Sequence, residues 1–223
     1  MAGVMGAMRA TSTTQSDDDE TKRPRGRPRV DIDTDAVADT AADLFAEGGL
    51  DAVSIHKVAD RLSVSRATLY RSVPTKEALL GVLFERSTRE LMADARGVLE
   101  STADPADRLV GLVNLQSSTA VRMRQYMPVF FDGGGLPPDV MTRWHDWSRS
   151  YEAIWVDVVK DCMVAGILEE DDPVVVARLI LGACLWISRW YRPQDGRSAD
   201  EISGTAVALI RSLQIKTKRP RRR

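Results

Sequence analysis

The sequence predicts an all-α fold: an N-terminal three-helix unit containing a helix-turn-helix, followed by a larger helical domain. Three observations carry that reading. No strand-like alternation recurs anywhere along the 223 residues. From Lys76 onward, apolar residues return at helical spacing between Pro, Asp, Ser and Gly punctuation. And SIHKVADRLSVSRATLYRSVPTKEALL, Ser54 to Leu80, spells two short helices, a tight turn between them and the start of a third.

Taken in order, residues 1–21 read as a disordered extension. The MAGVMGAM run is too short for a signal-peptide core and leads into Asp17, Asp18, Asp19 and Glu20 rather than a cleavage site. Residues 22–30 form a basic arm whose Pro24-Arg25-Gly26-Arg27-Pro28 centre resembles the AT-hook. Prolines hold such a segment extended, Gly26 permits close approach, and Arg25 and Arg27 can lie along a narrow A·T minor groove. The alternative is a basic tether that touches phosphates and reads nothing.

Residues 31–76 form the predicted helix-turn-helix unit. Helix one carries Asp31, Asp33, Asp35, Asp39 and Asp43, which would repel a phosphate backbone if they faced it. In the next helix Val58, Ala59 and Leu62 make an inner face, and small Ala59 admits a crossing helix. Ser63 breaks the run and Val64 plugs the turn. Ser65 can cap the following helix, whose inner face is Leu69 and Val73. At about 100° per residue, Ala67 and Arg71 then point away from Leu69, flanked by Thr68 and Tyr70. That outer face is short, polar and cationic, as a major groove requires. Pro74 ends the helix, and Thr75 caps a further helix opening at Lys76.

With ADLFAEGGLDAVS (Ala42 to Ser54) before the helix-turn-helix and a Pro-Thr-Lys-Glu step after it, residues 32 to 90 resemble a TetR-family transcriptional regulator. Phe45, Gly48, Ala59, Val64, Ser65, Leu69, Tyr70, Pro74, Lys76 and Glu77 all fit the family pattern. Ser63 departs from the usual Gly, which costs about 1 kcal/mol if the turn needs positive φ. Val73 departs from the usual Phe, so that joint should be packed less fully. The resemblance implies that Ser65, Arg66, Ala67, Thr68 and Arg71 approach bases or adjoining phosphates, and that Ser54, Tyr70 and Lys76 clamp phosphates near helix starts. It also implies a palindromic double-stranded DNA operator, a homodimer and a small effector, with repression released by ligand as the usual behaviour.

Residues 77–215 form the predicted effector-binding and dimerisation domain, with helices over residues 105–124, 138–165, 172–191 and 198–214. Trp144, Trp147, Tyr151 and Trp155 fall at i, i+3, i+7 and i+11, a stripe that is either core or pocket wall. Met123, Met127, Phe130 and Phe131 precede it and supply adaptable apolar surface, so all eight are candidate pocket residues for a hydrophobic or amphipathic effector, such as an acyl-CoA or a lipid-like metabolite. Arg122 and Arg124 are either an anion contact at the mouth or solvated surface. The segment from Val174 to Trp190 is apolar nearly all round, which calls for burial on two sides. Leu181, Leu185 and Ile210 are therefore candidate dimer contacts. Helix four is expected to be the only direct link between pocket and reading head. Residues 216–223 read as a solvated basic tail.

The net charge of −1 conceals a division. Of 31 basic residues five stand in the arm and six in the tail, and of 32 acidic residues four stand in the early cluster, which leaves a body with 20 basic against 28 acidic. DNA affinity is thus expected to draw on the arm. Cys162 and Cys184 fit no metal spacing and no disulfide framework, so a cytoplasmic setting and buried thiols are expected. Enzyme chemistry is disfavoured: the two histidines, His56 and His145, join no nucleophile, carboxylate pair, phosphate loop or metal set. No cofactor or metal is expected. The Ala183 to Ile187 stretch, interrupted by Arg178 and Arg189, reads as too short for a membrane span. An AT-rich architectural binder using the arm alone is the rival reading, and it leaves the helix-turn-helix unexplained.

Overall fold

The computed structural model describes residues 32–125 and 137–213, and among these residues it contains eight α-helices. The first unit comprises α1 (Thr34–Ala52), α2 (Ile55–Arg61) and α3 (Arg66–Ser72), and α4 (Lys76–Ser101) runs out of it. The second comprises α5 (Pro105–Arg122), α6 (Pro138–Val164), α7 (Pro173–Trp190) and α8 (Ala199–Leu213), with a short 3-10 turn at Pro193–Asp195. Helix starts have local causes. Asp33, Ser54, Ser65, Thr75, Asp104 and Asp172 each turn a side-chain oxygen onto the free N–H groups of the turn that follows. Proline opens α5, α6 and α7, where its missing donor and fixed φ cost nothing. The four helices expected beyond residue 104 appear within two residues of their expected ends.

Two local distortions shape the reading head. α1 breaks at Gly48 and Gly49, where Gly49 takes φ of 66°, a value an L side chain rarely adopts. In the turn between α2 and α3, Ser63 takes φ of 54° while the Val64 amide donates to the Ala59 carbonyl at 3.0 Å. The positive φ anticipated at that position is present, carried by a serine. Val73, expected to leave its joint loosely packed, is closed off from solvent beside fully buried Leu69.

The acidic face of α1 has an inward explanation. Asp39 meets Arg86 of α4 at 3.2 Å, Asp35 meets both Arg86 and Arg89, and Glu47 meets Arg61 of α2 at 2.6 Å. Three acids on α1 are therefore paired with arginines of α2 and α4.

Val37, Leu44, Phe45, Val58, Leu69, Leu79 and Phe84 centre one core under the first unit, and Leu109, Leu112, Val113, Trp155, Val159 and Cys162 centre a second. Both cysteines are free and buried, as expected. α7 is long and apolar enough to cross a membrane by length and composition, which corrects the expectation that its apolar stretch falls short. It is nonetheless packed as a bundle member: Ala177, Ile180, Cys184 and Ile187 are buried within the domain, and Arg178 pairs with Glu152 of α6 at 2.8 Å.

Candidate functional site

Because Leu69 and Val73 anchor α3 inward, Arg66, Ala67 and Arg71 stand exposed on its outer face, with Tyr70 47% exposed beside them. Ser65 and Thr68 are engaged with each other. Their hydroxyl oxygens lie 2.6 Å apart, and the Ser65 hydroxyl also accepts from the Thr68 amide at 3.1 Å. They hold the helix start, and Arg66, Ala67 and Arg71 project beside them from the exposed side of α3.

Ser54, Tyr70 and Lys76, three residues from separate elements, line one shallow depression. The starts of α2 and α4 converge there, each with its cap formed: Ser54 accepts from the Lys57 amide at 3.3 Å and Thr75 from the Ala78 amide at 3.1 Å. Helix dipoles, a phenol and an ammonium thus meet at one place suited to a phosphate. The Lys76 ammonium donates to the Leu50 carbonyl at 2.6 Å, so it also closes the end of α1. His56, considered from the sequence only for enzyme chemistry, lines the same depression and is exposed. Its place two residues after the Ser54 cap was the available signal. Arg25 and Arg27 lie outside the described residues, as does the basic tail.

A cavity of about 210 Å³ opens among α4, α5, α6 and α7. Met123, Trp144, Trp147 and Tyr151 line it as expected. Met127, Phe130 and Phe131 lie outside the described residues. Trp155 is a correction: it is fully buried in the second core and does not line the cavity. One helical stripe spans two environments: Trp144 packs against the first core, whereas Tyr151 and Trp155 belong to the second. Trp147 stacks on Tyr151 with centroids 4.9 Å apart, and its indole N–H donates to the Thr88 carbonyl of α4 at 3.0 Å. Burial pushes the Tyr151 phenol well above its ordinary value, so it remains a donor, and it donates to Gln116 Oε1 at 2.8 Å.

Phe84, Leu91 and Gln116 also line the cavity and were not foreseen. Glu152 is the one ionisable carboxylate among its described lining residues, and no Lys or Arg is among them. Arg122 instead reaches the Thr119 hydroxyl at 3.4 Å, and Arg124 lies over the Tyr191 ring at 5.7 Å, so neither lines the cavity.

The expectation that α4 alone links cavity and reading head is also corrected. Phe84 and Met123 belong to the first core, and Trp144 and Leu185 pack against it while lining the cavity. The end of α5 adds a tie from Gln125 to the Ala46 carbonyl of α1 at 3.4 Å.

The three residues expected at a dimer contact are engaged within the chain itself. Ile210 is buried in the second core, and Leu181 and Leu185 face the cavity, because these positions lie on the inward sides of α7 and α8. The outward side carries Val175, Leu179, Trp186 and Trp190 of α7 with Leu209 and Leu213 of α8, all exposed.

Residues 37–83 match the family model described as bacterial regulatory proteins, tetR family, and residues 102–213 match the tetracyclin repressor-like C-terminal domain. The chain is 27% identical over 174 residues to the HTH-type transcriptional repressor KstR2 of Mycobacterium tuberculosis, covering 76% of this chain and 86% of that one. A TetR/AcrR-family regulator from Thermobifida fusca has a similar fold, with a TM-score of 0.72 at 24% identity over 83% of this chain and 98% of the other. So does AibR in complex with isovaleryl coenzyme A and operator DNA, with a TM-score of 0.65 at 22% identity over 79% and 96%. With one family model over the helix-turn-helix and another over the helical domain behind it, this chain belongs to the TetR family and is a DNA-binding transcriptional regulator.

Proposed function

We propose that the protein is a homodimeric repressor of the cytoplasm that holds a palindromic operator with two copies of α3 and leaves it when an apolar effector fills the cavity between α4 and α7. Arg66, Ala67 and Arg71 select bases, while Ser54, Tyr70, Lys76 and His56 seat phosphates. Arg25 and Arg27 add affinity from the arm. The carrying observation is that Phe84 and Met123 are at once cavity wall and reading-head core. An occupant that displaces them changes the packing beneath α1 and α4, which gives it differential affinity for two positions of the head, the condition for any ligand to shift an equilibrium. The relatives make an apolar effector concrete: AibR was captured with isovaleryl coenzyme A, and KstR2 is a ketosteroid regulator. Here the lining suits an acyl or lipid-like body, and a charged headgroup would lie outside the cavity.

The test is a binding assay on the DNA flanking the protein's own gene, repeated with acyl-CoA and lipid-like compounds. A discrete two-fold footprint that an apolar compound abolishes is the expected result. A diffuse footprint over A·T-rich DNA, unaffected by substitutions in α3, would instead favour the architectural reading.

A further inference from the structure

Gln116 is 1% exposed, lines the cavity, and has an Nε2 group with no hydrogen-bond partner among the described residues. Its orientation is not free. The Tyr151 hydroxyl donates to Oε1 at 2.8 Å, and the Tyr151 ring is in turn held edge-on against Trp155 with ring centroids 6.4 Å apart. The amide is therefore held by its oxygen, and its two N–H donors are left without a partner in a cavity whose lining is mostly apolar, with Glu152 and a few hydroxyls among it. A buried amide donor without a partner costs more than any single hydrogen bond contributes, so its retention in a cavity calls for an occupant that accepts.

We propose that Gln116 is the polar anchor of the effector, donating from Nε2 to a carbonyl oxygen on a ligand whose remaining body is apolar. This rests on the reading of the cavity as the effector site and narrows it to ketones, esters and thioesters against plain hydrocarbons. A carboxylate is a poorer match, because the Glu152 side chain lines the same space and would repel it.

Trp144 and Trp147 in the cavity wall give a built-in reporter. Tryptophan fluorescence of the full-length protein is titrated with 4-phenylcyclohexanone and with phenylcyclohexane, in the natural chain and in Gln116→Met. The expected result is that the variant weakens the ketone about tenfold and does not weaken the hydrocarbon, the scale of one hydrogen bond. A ketone-to-hydrocarbon affinity ratio equal in the two proteins overturns the anchor while leaving the cavity reading intact. No saturable binding of either probe overturns the cavity reading and the anchor with it. The infrared carbonyl stretch of the ketone bound to the natural chain decides the matter even if the variant does not fold: a frequency below that in cyclohexane supports the donor, and an unshifted one overturns it.

Discussion

Ser63 shows how a single residue can hold a motif together under strain. Its φ of 54° costs an L-residue about 1 kcal/mol or more, and the turn holds it because Val64 must donate back to Ala59. Ser63→Gly is therefore expected to raise stability by about 0.5 kcal/mol, the relief being partly offset by glycine's greater unfolded-state freedom, and a urea midpoint checks it. The proposed DNA contacts divide at the same scale. Arg71 is exposed on the outer face of α3, whereas Lys76 lines the depression with Ser54 and Tyr70. Arg71→Ala should narrow the gap between operator and random DNA, and Lys76→Ala should weaken both alike and reduce the salt slope. Equal losses on both DNAs from Arg71→Ala in a fluorescence anisotropy assay would contradict the division. Burial raises the Cys162 thiol to about 11. The unfolded thiol ionises first, so its contribution to stability is complete below about pH 9 and is lost as pH rises toward 11. A thiol reagent at pH 8 should accordingly leave Cys162 untouched until denaturant is added.

At the scale of elements, α4 and α6 meet across Gly81, where an added β-carbon would lie 3.0 Å from Val140 Cγ2. Gly81→Ala should therefore cost about 1 kcal/mol through overpacking, and pairing it with Val140→Ala should recover most of that loss, a non-additivity that thermal unfolding of the four proteins measures. The sequence made some of these elements plain and hid others, for physical reasons. Ser54, Ser65, Thr75 and Asp172 announce helix starts because capping is a local bond between near neighbours. The groove face of α3 was legible because Leu69 and Val73 fix it from within seven residues. The inner and outer faces of α7 were not, since a helix apolar all round carries no sign of which side its own domain covers. That is why Leu181, Leu185 and Ile210 were assigned outward when the structure turns them in. Trp155 misled similarly, its periodicity being that of the pocket stripe and its neighbours those of the core. Gln116 gave no signal at all, because an unpartnered amide is visible only once Tyr151 is seen beside it.

For the whole molecule, the proposed homodimer can draw on the apolar residues exposed on the outward sides of α7 and α8. Both helices pack on α5, and their free sides expose Leu179 at 68%, Trp186 at 64%, and Leu209 and Leu213 at 58% each. In the proposed homodimer these exposed apolar side chains are the surface that a two-fold axis would lay on its copy. Leu179→Glu combined with Leu209→Glu places charge in that contact without touching either core. Sedimentation at micromolar concentration should find the variant monomeric with its helical circular dichroism retained, and the natural chain dimeric. Leu181→Ala is the contrasting variant: it faces the cavity, so it should stay dimeric and alter effector response instead. The DNA gives the same test from the other side. In the proposed dimer two reading helices would meet half-sites about one turn apart, so inserting about five base pairs between them would turn one half-site to the opposite face of the duplex. Operator affinity should then fall to the level of the monomeric variant on intact DNA, and an insertion of a full turn should not restore it, because the dimer sets distance as well as angle. A monomeric natural chain, or a dimer indifferent to both insertions, would show that the exposed face of α7 and α8 has some other use.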